Sequence, residues 1–220
     1  MIMYTACNNK YFDLYFNMWI SCANKFYPRM KKYVAIGDPG ENQLLECERM
    51  GATPIPFEIR KPRDNEPWEK YKGIYFLLRW QHMPWKLRKP ILETQINCLA
   101  VKAQTFEKID TIEHLRICRR KKGSLGGLSA AVFSPDAARK VTEKAISLND
   151  NPPQGDHTIN EWTSHNIPYL TVLAEQQFKD LEGLIEPQTC WITSGTSQNF
   201  THDQKIEILK HYTTLAGIKI

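Results

Sequence analysis

The sequence predicts a single α/β domain with a mostly parallel central sheet flanked by helices. Its first 57 residues alternate short apolar runs with helical patterns, in an order typical of parallel sheets. The 220-residue chain is 42% hydrophobic and 24% charged, an ordinary globular composition that can build a sizeable core. No internal repeat or shift in composition marks a boundary, so we expect one domain over residues 1–220.

The first three strands and two helices have clear local signals. Residues 2–7 are an apolar run that predicts a buried strand, and Asn8-Asn9 begins a helix with apolar side chains at helical spacing. The next strand, helix and strand are predicted over residues 33–36, 42–50 and 53–57. Gly51 comes directly after the second helix, where a left-handed cap is expected.

The second half of the chain continues the alternation less regularly. Helices are predicted over residues 71–80, 158–164 and 202–215, and strands over residues 91–101, 128–134 and 169–173. A further helix begins at Pro135, since proline is favoured in a first turn. Its inward-facing side chains are expected to be Ala137, Ala138, Val141 and Ala145.

The cysteine pattern and the N-terminus indicate a cytoplasmic protein. Six cysteines are scattered without a Cys-x-x-Cys pair, which favours reduced, buried thiols over disulfides or a zinc site. Residues 1–9 do not resemble a signal peptide, and no run approaches the ~20 apolar residues that span a bilayer. We therefore expect no membrane partner and a cytoplasmic location, which would be the host cytoplasm for a viral protein.

Positive charge is concentrated in two stretches. Residues 60–89 hold nine basic and three acidic residues, and residues 115–123 hold five basic residues and no acidic one, within a chain of net charge +5. Such polarity favours an anionic ligand, for example a diphosphate, a nucleic acid or an acidic glycan. The alternative is a solvated basic face.

The predicted strand ends carry polar groups suited to a nucleotide. In open α/β sheets ligands bind beyond the carboxyl ends of the strands, where Asn8 and Asp38 follow the first two strands. The chain has neither Gly-x-Gly-x-x-Gly after its first strand nor Gly-x-x-x-x-Gly-Lys-Ser/Thr, which argues against Rossmann dinucleotide and P-loop sites. Asp38 is equally well explained as an ordinary turn residue.

The order of short motifs resembles that of GT-A glycosyltransferases, in particular the glycogenin- and galactosyltransferase-like group. The opening Tyr4-Thr5-Ala6-Cys7-Asn8-Asn9-Lys10-Tyr11-Phe12 resembles their first strand and nucleotide turn, and residues 91–101 resemble the strand with the Asp-x-Asp motif. Gln95 and Asn97 stand where the two aspartates would be. Other similarities are Arg79-Trp80, a basic residue facing the donor; Gly126-Gly127, before the acceptor-side strand; and Gly155-Asp156-His157, near the reacting sugar carbon. Together these motifs cover roughly residues 1–175.

The resemblance implies a nucleoside-diphosphate-sugar donor and assigns candidate residues. Residues 1–100 would bind the donor, and residues 101–220 the acceptor. The donor-binding candidates are Thr5, Ala6, Cys7, Asn8, Asp38, Arg79, Gln95, Asn97, Gly126 and Gly127. Asp156, then Glu161, are the catalytic carboxylate candidates. The acceptor or phosphate candidates are Lys86, Arg88, Arg119, Arg120, Lys121 and His157.

The replaced motif affects the expected cofactor. Paired carboxylates hold Mn²⁺ or Mg²⁺, whereas the neutral amides of Gln95 and Asn97 are poor ligands for hard cations. We therefore predict no metal site here and expect cationic side chains to neutralise the departing diphosphate. Metal binding through Asp156, His157 and His202, and a pseudo-enzyme without activity, are the alternatives. Glu93, on the strand face shared with Gln95 and Asn97, is expected to be a solvated strand residue, with a substitute acid as the alternative.

The acceptor is the least defined part of the prediction. The basic run and the tryptophans Trp68, Trp80, Trp85 and Trp191 are compatible with stacking against sugars or flipped bases. By analogy of composition, the acceptor is a modified DNA base, as for viral DNA-modifying enzymes, or a glycan. The competing functions are a non-catalytic nucleic-acid-binding protein and a sugar-phosphate nucleotidyltransferase. The oligomeric state is not predicted.

Overall fold

The structure, a computed structural model, describes residues 1–59, 79–103, 115–118, 130–150, 178–180, 191–193 and 201–220. Its strands are β1 Ile2–Asn8, β2 Lys31–Gly37, β3 Ala52–Phe57, β4 Ile91–Thr94, β5 Cys98–Ala100, β6 Leu115–Cys118, β7 Ala130–Phe133, β8 Phe178–Asp180 and β9 Trp191–Thr193. Its helices are α1 Asn9–Phe26, α2 Glu41–Arg49, α3 Pro135–Asp150 and α4 His202–Leu215, with a 3-10 turn at Trp85–Leu87.

In the described part of the chain, seven strands form one sheet in the order β3-β2-β1-β4-β7-β6-β8. Neighbours among β3, β2, β1 and β4 pair in parallel, as do β6 and β8. Strand β7 runs antiparallel to β4 and β6 on either side of it. The prediction of a mostly parallel sheet flanked by helices is therefore confirmed. The strands β5 and β9 form a separate antiparallel pair.

The local signals in the first half place the elements as predicted. Asn8 caps α1 with its side chain, which accepts a hydrogen bond from the Tyr11 backbone N–H at 2.8 Å. Helix α2 ends just before Gly51, whose φ of +83° is the left-handed conformation that terminates helices without steric cost for glycine. The predicted bounds of α4 match the structure, and Thr201 caps it by accepting from the Gln204 backbone N–H.

The sheet has an apolar core on each face because side chains alternate along its strands. Met3 faces the core beneath α1, which includes Trp19 and Leu92, whereas Ile2 and Tyr4 face the core beneath α3. The four inward side chains predicted for α3 are all buried: Ala137, Ala138, Val141 and Ala145. Helix α4 lies along α1, and both run in the same direction: Tyr15 contacts His202 near their first residues, and Lys25 contacts Gly217 at the other end.

The prediction of one strand over residues 91–101 is wrong. The chain forms β4, turns at residues 95–97, and continues as β5 in the smaller sheet. The turn includes a hydrogen bond from the Cys98 backbone N–H to the Gln95 carbonyl at 2.9 Å. Both strands are buried and rich in apolar residues, so the hydrophobic pattern runs through the turn without a break.

Several predicted elements fall outside the described residues, among them the helix over residues 158–164 and the strand over residues 169–173. Of the predicted helix over residues 71–80, the structure describes Arg79 and Trp80, which are helical. Among the described helices, none combines the length and hydropathy that crossing a membrane requires.

Candidate functional site

The winding direction of the main sheet reverses between β1 and β4, and we call the carboxyl edge of the sheet at this point the crevice. Strand β1 pairs with β4 only as far as Tyr4 and Glu93, but it pairs with β2 as far as Asn8 and Gly37. The pairing of β1 with β4 therefore stops before residues 5–8 of β1. Strand β4 itself ends at Thr94. From β1 the chain passes through α1 to β2 on one side, while β4 and then β7 lie on the other. Such a switch point is where open α/β sheets bind ligands.

The structure brings most of the predicted donor-binding residues to this edge. Ala6, Cys7 and Asn8 are half-buried on the last part of β1, and Thr5 is fully buried. Gln95 and Asn97, both half-buried, lie in the turn that follows β4. Parallel strands end at the same edge, so the amides of Asn8, Gln95 and Asn97 belong to one polar rim.

Asp38 occupies the corresponding position after β2. It is exposed and has a φ of +49°, the left-handed region in which aspartate is better tolerated than most residues. Its side-chain Oδ1 accepts a hydrogen bond from the Ile59 backbone N–H at 2.9 Å. Asp38 therefore stabilises the turn after β2 and also carries a carboxylate at the crevice edge, so its two sequence interpretations are compatible.

Arg79 is held by a buried carboxylate. Its Nε donates to Oε1 of Glu93 at 2.8 Å, and its terminal nitrogen NH2 donates to Oε2 at 2.7 Å. The expectation that Glu93 is solvated is wrong, because the residue is 1% exposed. Burial raises the pKa of the Glu93 carboxyl, and the neighbouring Arg79 opposes that rise. The positive charge predicted to face the donor is thus neutralised inside the protein.

Lys86 and Arg88 lie near the edge of the sheet opposite the crevice, so the structure gives no support to their assignment to phosphate or acceptor binding, which stays a prediction. They come just before β4, and the backbone N–H of Ile2, where β1 begins, donates to the carbonyl of Pro90 at 2.9 Å. This is the amino-terminal edge of the parallel strands. The six residue steps from Ile2 to Asn8 span about 20 Å. Both side chains are exposed, as expected for a solvated basic face.

Trp80 is also unsuited to the predicted stacking role. It is 1% exposed and belongs to the core beneath α3, where its carbonyl accepts from the Thr142 hydroxyl at 3.0 Å. A buried indole presents no face to a sugar or a base. Trp85 is half-buried beside the same core.

The cysteine side chains that the structure describes are all free thiols, as predicted: Cys7, Cys22, Cys47 and Cys98. Burial raises the pKa of Cys22 and of Cys47 to about 12 and raises that of Cys7 further, so these thiols stay protonated at neutral pH. Within the described residues, no three His, Cys, Asp or Glu side chains are grouped to hold a metal ion.

The remaining candidates lie outside the described residues, so their roles stay predictions. They are Asp156 and Glu161 for catalysis; Gly126 and Gly127 for the donor; and Arg119, Arg120, Lys121 and His157 for phosphate or acceptor.

Sequence reasoning missed two groups of side chains at or below this edge. Thr94, the last residue of β4, accepts a hydrogen bond from the Trp19 indole N–H of α1 at 2.8 Å. His202, considered only as a metal ligand, lies against Tyr11 and Tyr15 in the first turns of α1. Helical spacing predicts that Tyr15 and Trp19 face inward, but it contains no signal for partners that are far away in sequence.

Comparison with known proteins finds similarity to solved structures in fold. No family model matches the sequence, and no curated protein matches it significantly. The crystal structure of the apo form of the glycosyltransferase GlyE from Streptococcus pneumoniae TIGR4 aligns with 99% of this chain and 64% of its own, at 12% identity and a TM-score of 0.59.

A second GlyE structure aligns with 97% of this chain and 50% of its own, at 11% identity and a TM-score of 0.52. The chain thus spans about half to two thirds of the length of the GlyE chains. The galactosyltransferase LgtC, solved in complex with donor and acceptor sugar analogues, aligns with 100% of this chain and 97% of its own, at 10% identity and a TM-score of 0.54. The chain is therefore a single α/β domain whose fold matches that of these GT-A glycosyltransferases.

Proposed function

We propose that this protein transfers a sugar from a nucleoside-diphosphate sugar to an acceptor hydroxyl. The observation that carries the proposal is the crevice between β1 and β4, with the amides of Asn8, Gln95 and Asn97 on its rim, in a sheet of this strand order. The solved relative LgtC, bound to donor and acceptor sugar analogues, shares the fold. A small sugar nucleotide suits a crevice with a few polar groups on an otherwise apolar frame.

The rim residues would divide the donor between them. Short polar groups at the ends of β1 and β2, Asn8 and Asp38, suit a base and a ribose, and Gln95 and Asn97 can hydrogen-bond ribose hydroxyls. Helix α1 begins at the same edge, where the helix dipole favours phosphate, while the Asn8 and Asn9 side chains already accept from the backbone N–H groups of Tyr11 and Lys10. We assign the base and ribose to the β1–β2 side and the diphosphate to the first turn of α1.

A divalent cation does not fit the motif at the end of β4. Gln95 and Asn97 offer neutral amide oxygens, which are weaker ligands for Mn²⁺ or Mg²⁺ than paired carboxylates. The proposed transfer therefore does not depend on a metal at this motif. The charge that develops on the departing diphosphate falls to N–H donors and cationic side chains, for which we retain the predicted Arg119, Arg120 and Lys121.

In the transfer step the acceptor oxygen forms a bond to the anomeric carbon of the sugar. The bond between that carbon and the β-phosphate oxygen breaks, and the nucleoside diphosphate leaves. The acceptor proton passes to a carboxylate, for which Asp156 is our first choice and Glu161 our second. Gly126 and Gly127 would let the backbone approach the sugar.

The decisive experiment is a panel of nucleoside-diphosphate sugars, tested for thermal stabilisation with and without Mn²⁺ and for release of the nucleoside diphosphate. One donor should raise the melting temperature, since a ligand that binds only the native state stabilises it. Addition of a hydroxyl acceptor, offered as oligosaccharides and separately as hydroxymethylated DNA, should then give a product heavier by one sugar. No stabilising sugar nucleotide in a broad panel would refute the proposal.

Two outcomes would identify the competing functions. Salt-dependent duplex binding without any nucleotide effect would indicate a nucleic-acid-binding protein. Pyrophosphate release from a nucleoside triphosphate and a sugar phosphate would indicate a nucleotidyltransferase.

The Asp156→Asn variant tests the catalytic assignment separately. It should lose transfer while its donor affinity stays close to that of the wild type, because the residue would act on the acceptor proton. Normal turnover by Asp156→Asn would remove Asp156 from the mechanism and leave the donor site unaffected.

A further inference from the structure

His202 lies against the first two turns of α1, the helix that follows β1, although it is 194 residues from Asn8 in sequence. Tyr11, whose backbone N–H donates to Asn8, has its ring centroid 5.5 Å from that of His202, and the two rings meet edge to face at 89°. The imidazole therefore lies against the first turn of α1, next to the end of β1. The helix pairing of α1 and α4 places it there, since both helices begin at this edge.

One ring nitrogen of His202 is already engaged. The Tyr15 hydroxyl lies 3.0 Å from Nδ1. Burial, with a smaller contribution from Tyr11, raises the pKa of Tyr15, so the phenol keeps a proton that it can donate. When Tyr15 donates to Nδ1 of the neutral ring, the ring proton is on Nε2. Within the described residues Nε2 has no hydrogen-bond partner, and the residue is half-buried.

Among the described residues, the cations predicted for this edge are paired or lie elsewhere, whereas Arg119, Arg120 and Lys121 fall outside the described part of the chain. Arg79 is paired with Glu93, and Lys86 and Arg88 lie near the opposite edge of the sheet. Of the nearby carboxylates, Asp13 accepts a hydrogen bond from Gln43 Nε2 at 2.6 Å, and Asp203 follows His202 in α4. His202 thus combines a ring in contact with two aromatic residues and a second ring nitrogen that, in the tautomer with the proton on Nε2, donates towards the first turn of α1.

We propose that His202 is a donor-binding residue that hydrogen-bonds a phosphate oxygen of the nucleoside diphosphate through Nε2, with Tyr15 as the residue that sets the ring. This rests on the proposed function, because the ligand is the donor diphosphate. A hydrogen bond to a charged phosphate is one of the stronger kinds, so its loss should weaken binding about tenfold or more.

The test measures the dissociation constants of UDP, GDP, CDP, ADP and TDP by calorimetry, with the wild-type chain and three variants. His202→Phe keeps a ring but removes both nitrogens, and it should weaken binding of the preferred nucleotide about tenfold or more. His202→Gln keeps an amide donor and should recover part of the affinity. Tyr15→Phe keeps the packing but frees Nδ1, and it should give an intermediate loss.

A matched control separates ring chemistry from helix docking. Lys25 Nζ donates to the carbonyls of Ala216 and Gly217 at 2.7 and 2.9 Å, at the far end of the α1–α4 contact. Lys25→Met should loosen that contact without changing nucleotide affinity. An equal loss of affinity in Lys25→Met and His202→Phe would overturn the proposal, because His202 would then act only by holding α4.

A spectroscopic readout tests the contact directly. With ¹⁵N-labelled histidine, and the signal assigned through His202→Gln, addition of the preferred nucleotide should shift the His202 Nε2 resonance. Unchanged affinity in His202→Phe together with an unmoved resonance would overturn the inference while the donor site stands. If the wild-type chain binds none of the nucleotides or nucleotide sugars, the proposed function fails and this inference fails with it.

Discussion

Arg79 and Glu93 form a bidentate ion pair beneath the crevice, with their side chains 9% and 1% exposed. The Tyr4 hydroxyl donates to the Arg79 carbonyl at 2.7 Å and links the pair to the centre of β1. The motif comparison assigned Arg79 to the donor. In the structure, Arg79 instead fastens the segment before β4 onto the sheet.

Removal of only one partner of this pair should be strongly destabilising. Glu93→Leu removes the buried carboxylate that accepts two hydrogen bonds from Arg79, which should cost about 3–5 kcal/mol of unfolding free energy. The double variant Arg79→Met/Glu93→Leu should recover most of that loss, since a well-packed apolar pair is often as stable as a buried ion pair. Urea unfolding measures both. A double variant that is no more stable than Glu93→Leu would show that the charges do not depend on each other.

Two buried threonines near the crevice should respond differently to the same substitution. Thr94→Val leaves the Trp19 indole N–H buried without an acceptor, at a cost of about 1–3 kcal/mol. The Thr5 hydroxyl has no hydrogen-bond partner within the described residues, so Thr5→Val should be neutral or stabilising. Thermal unfolding compares them, with Thr94→Ser, which keeps the acceptor, as control. Equal losses for both valine variants would contradict the assignment of these hydroxyls.

Replacement of the two amides that follow β4 by carboxylates should create a binding site for Mn²⁺. Mn²⁺ should not raise the melting temperature of the wild-type chain, because we expect no binding of the ion at this turn. The variant Gln95→Asp/Asn97→Asp supplies two carboxylates in the same turn and should be stabilised by Mn²⁺ as its concentration rises. Calorimetric titration with Mn²⁺ measures the binding, and the amide exchange Gln95→Asn/Asn97→Gln is the control. Strong Mn²⁺ binding at this turn in the wild-type chain would refute the prediction.

His82 should make the protein less stable in acid. Its ring stacks on Phe57 with centroids 4.1 Å apart, and burial lowers its pKa. The unfolded chain, with a histidine pKa of about 6.5, then binds a proton more readily than the native state. This stability is fully present above pH ~6.5 and decreases as the pH falls through that value towards the lowered native pKa.

Urea unfolding at several pH values between 5 and 8 tests this prediction. His82→Phe keeps an aromatic partner for Phe57 and should flatten the pH dependence in that window. His211→Phe, at an exposed position on α4, is the control and should leave the slope unchanged. An unchanged slope in His82→Phe would show that other groups cause the acid sensitivity.

The sequence alone determined the elements that depend on local signals. The Asn8 cap, the left-handed Gly51 and the inward face of α3 each follow from a few adjacent residues, as do the bounds of α4. Because these signals reflect helix geometry and backbone preferences, they need no knowledge of the rest of the chain. They were enough to predict the alternation of strands and helices and the edge of the sheet where a ligand would bind.

Only the tertiary structure determined which residues that are distant in sequence contact each other. The Arg79–Glu93 pair joins residues 14 apart, and the Tyr15–His202 contact joins residues 187 apart, so no local pattern reveals either. The direction of β7 and the turn between β4 and β5 likewise depend on strand pairing across the sheet. The sequence does not distinguish a basic residue that is buried against a carboxylate from one that is solvated at the far edge or one that lies near a ligand. Only the packing around the residue distinguishes these roles.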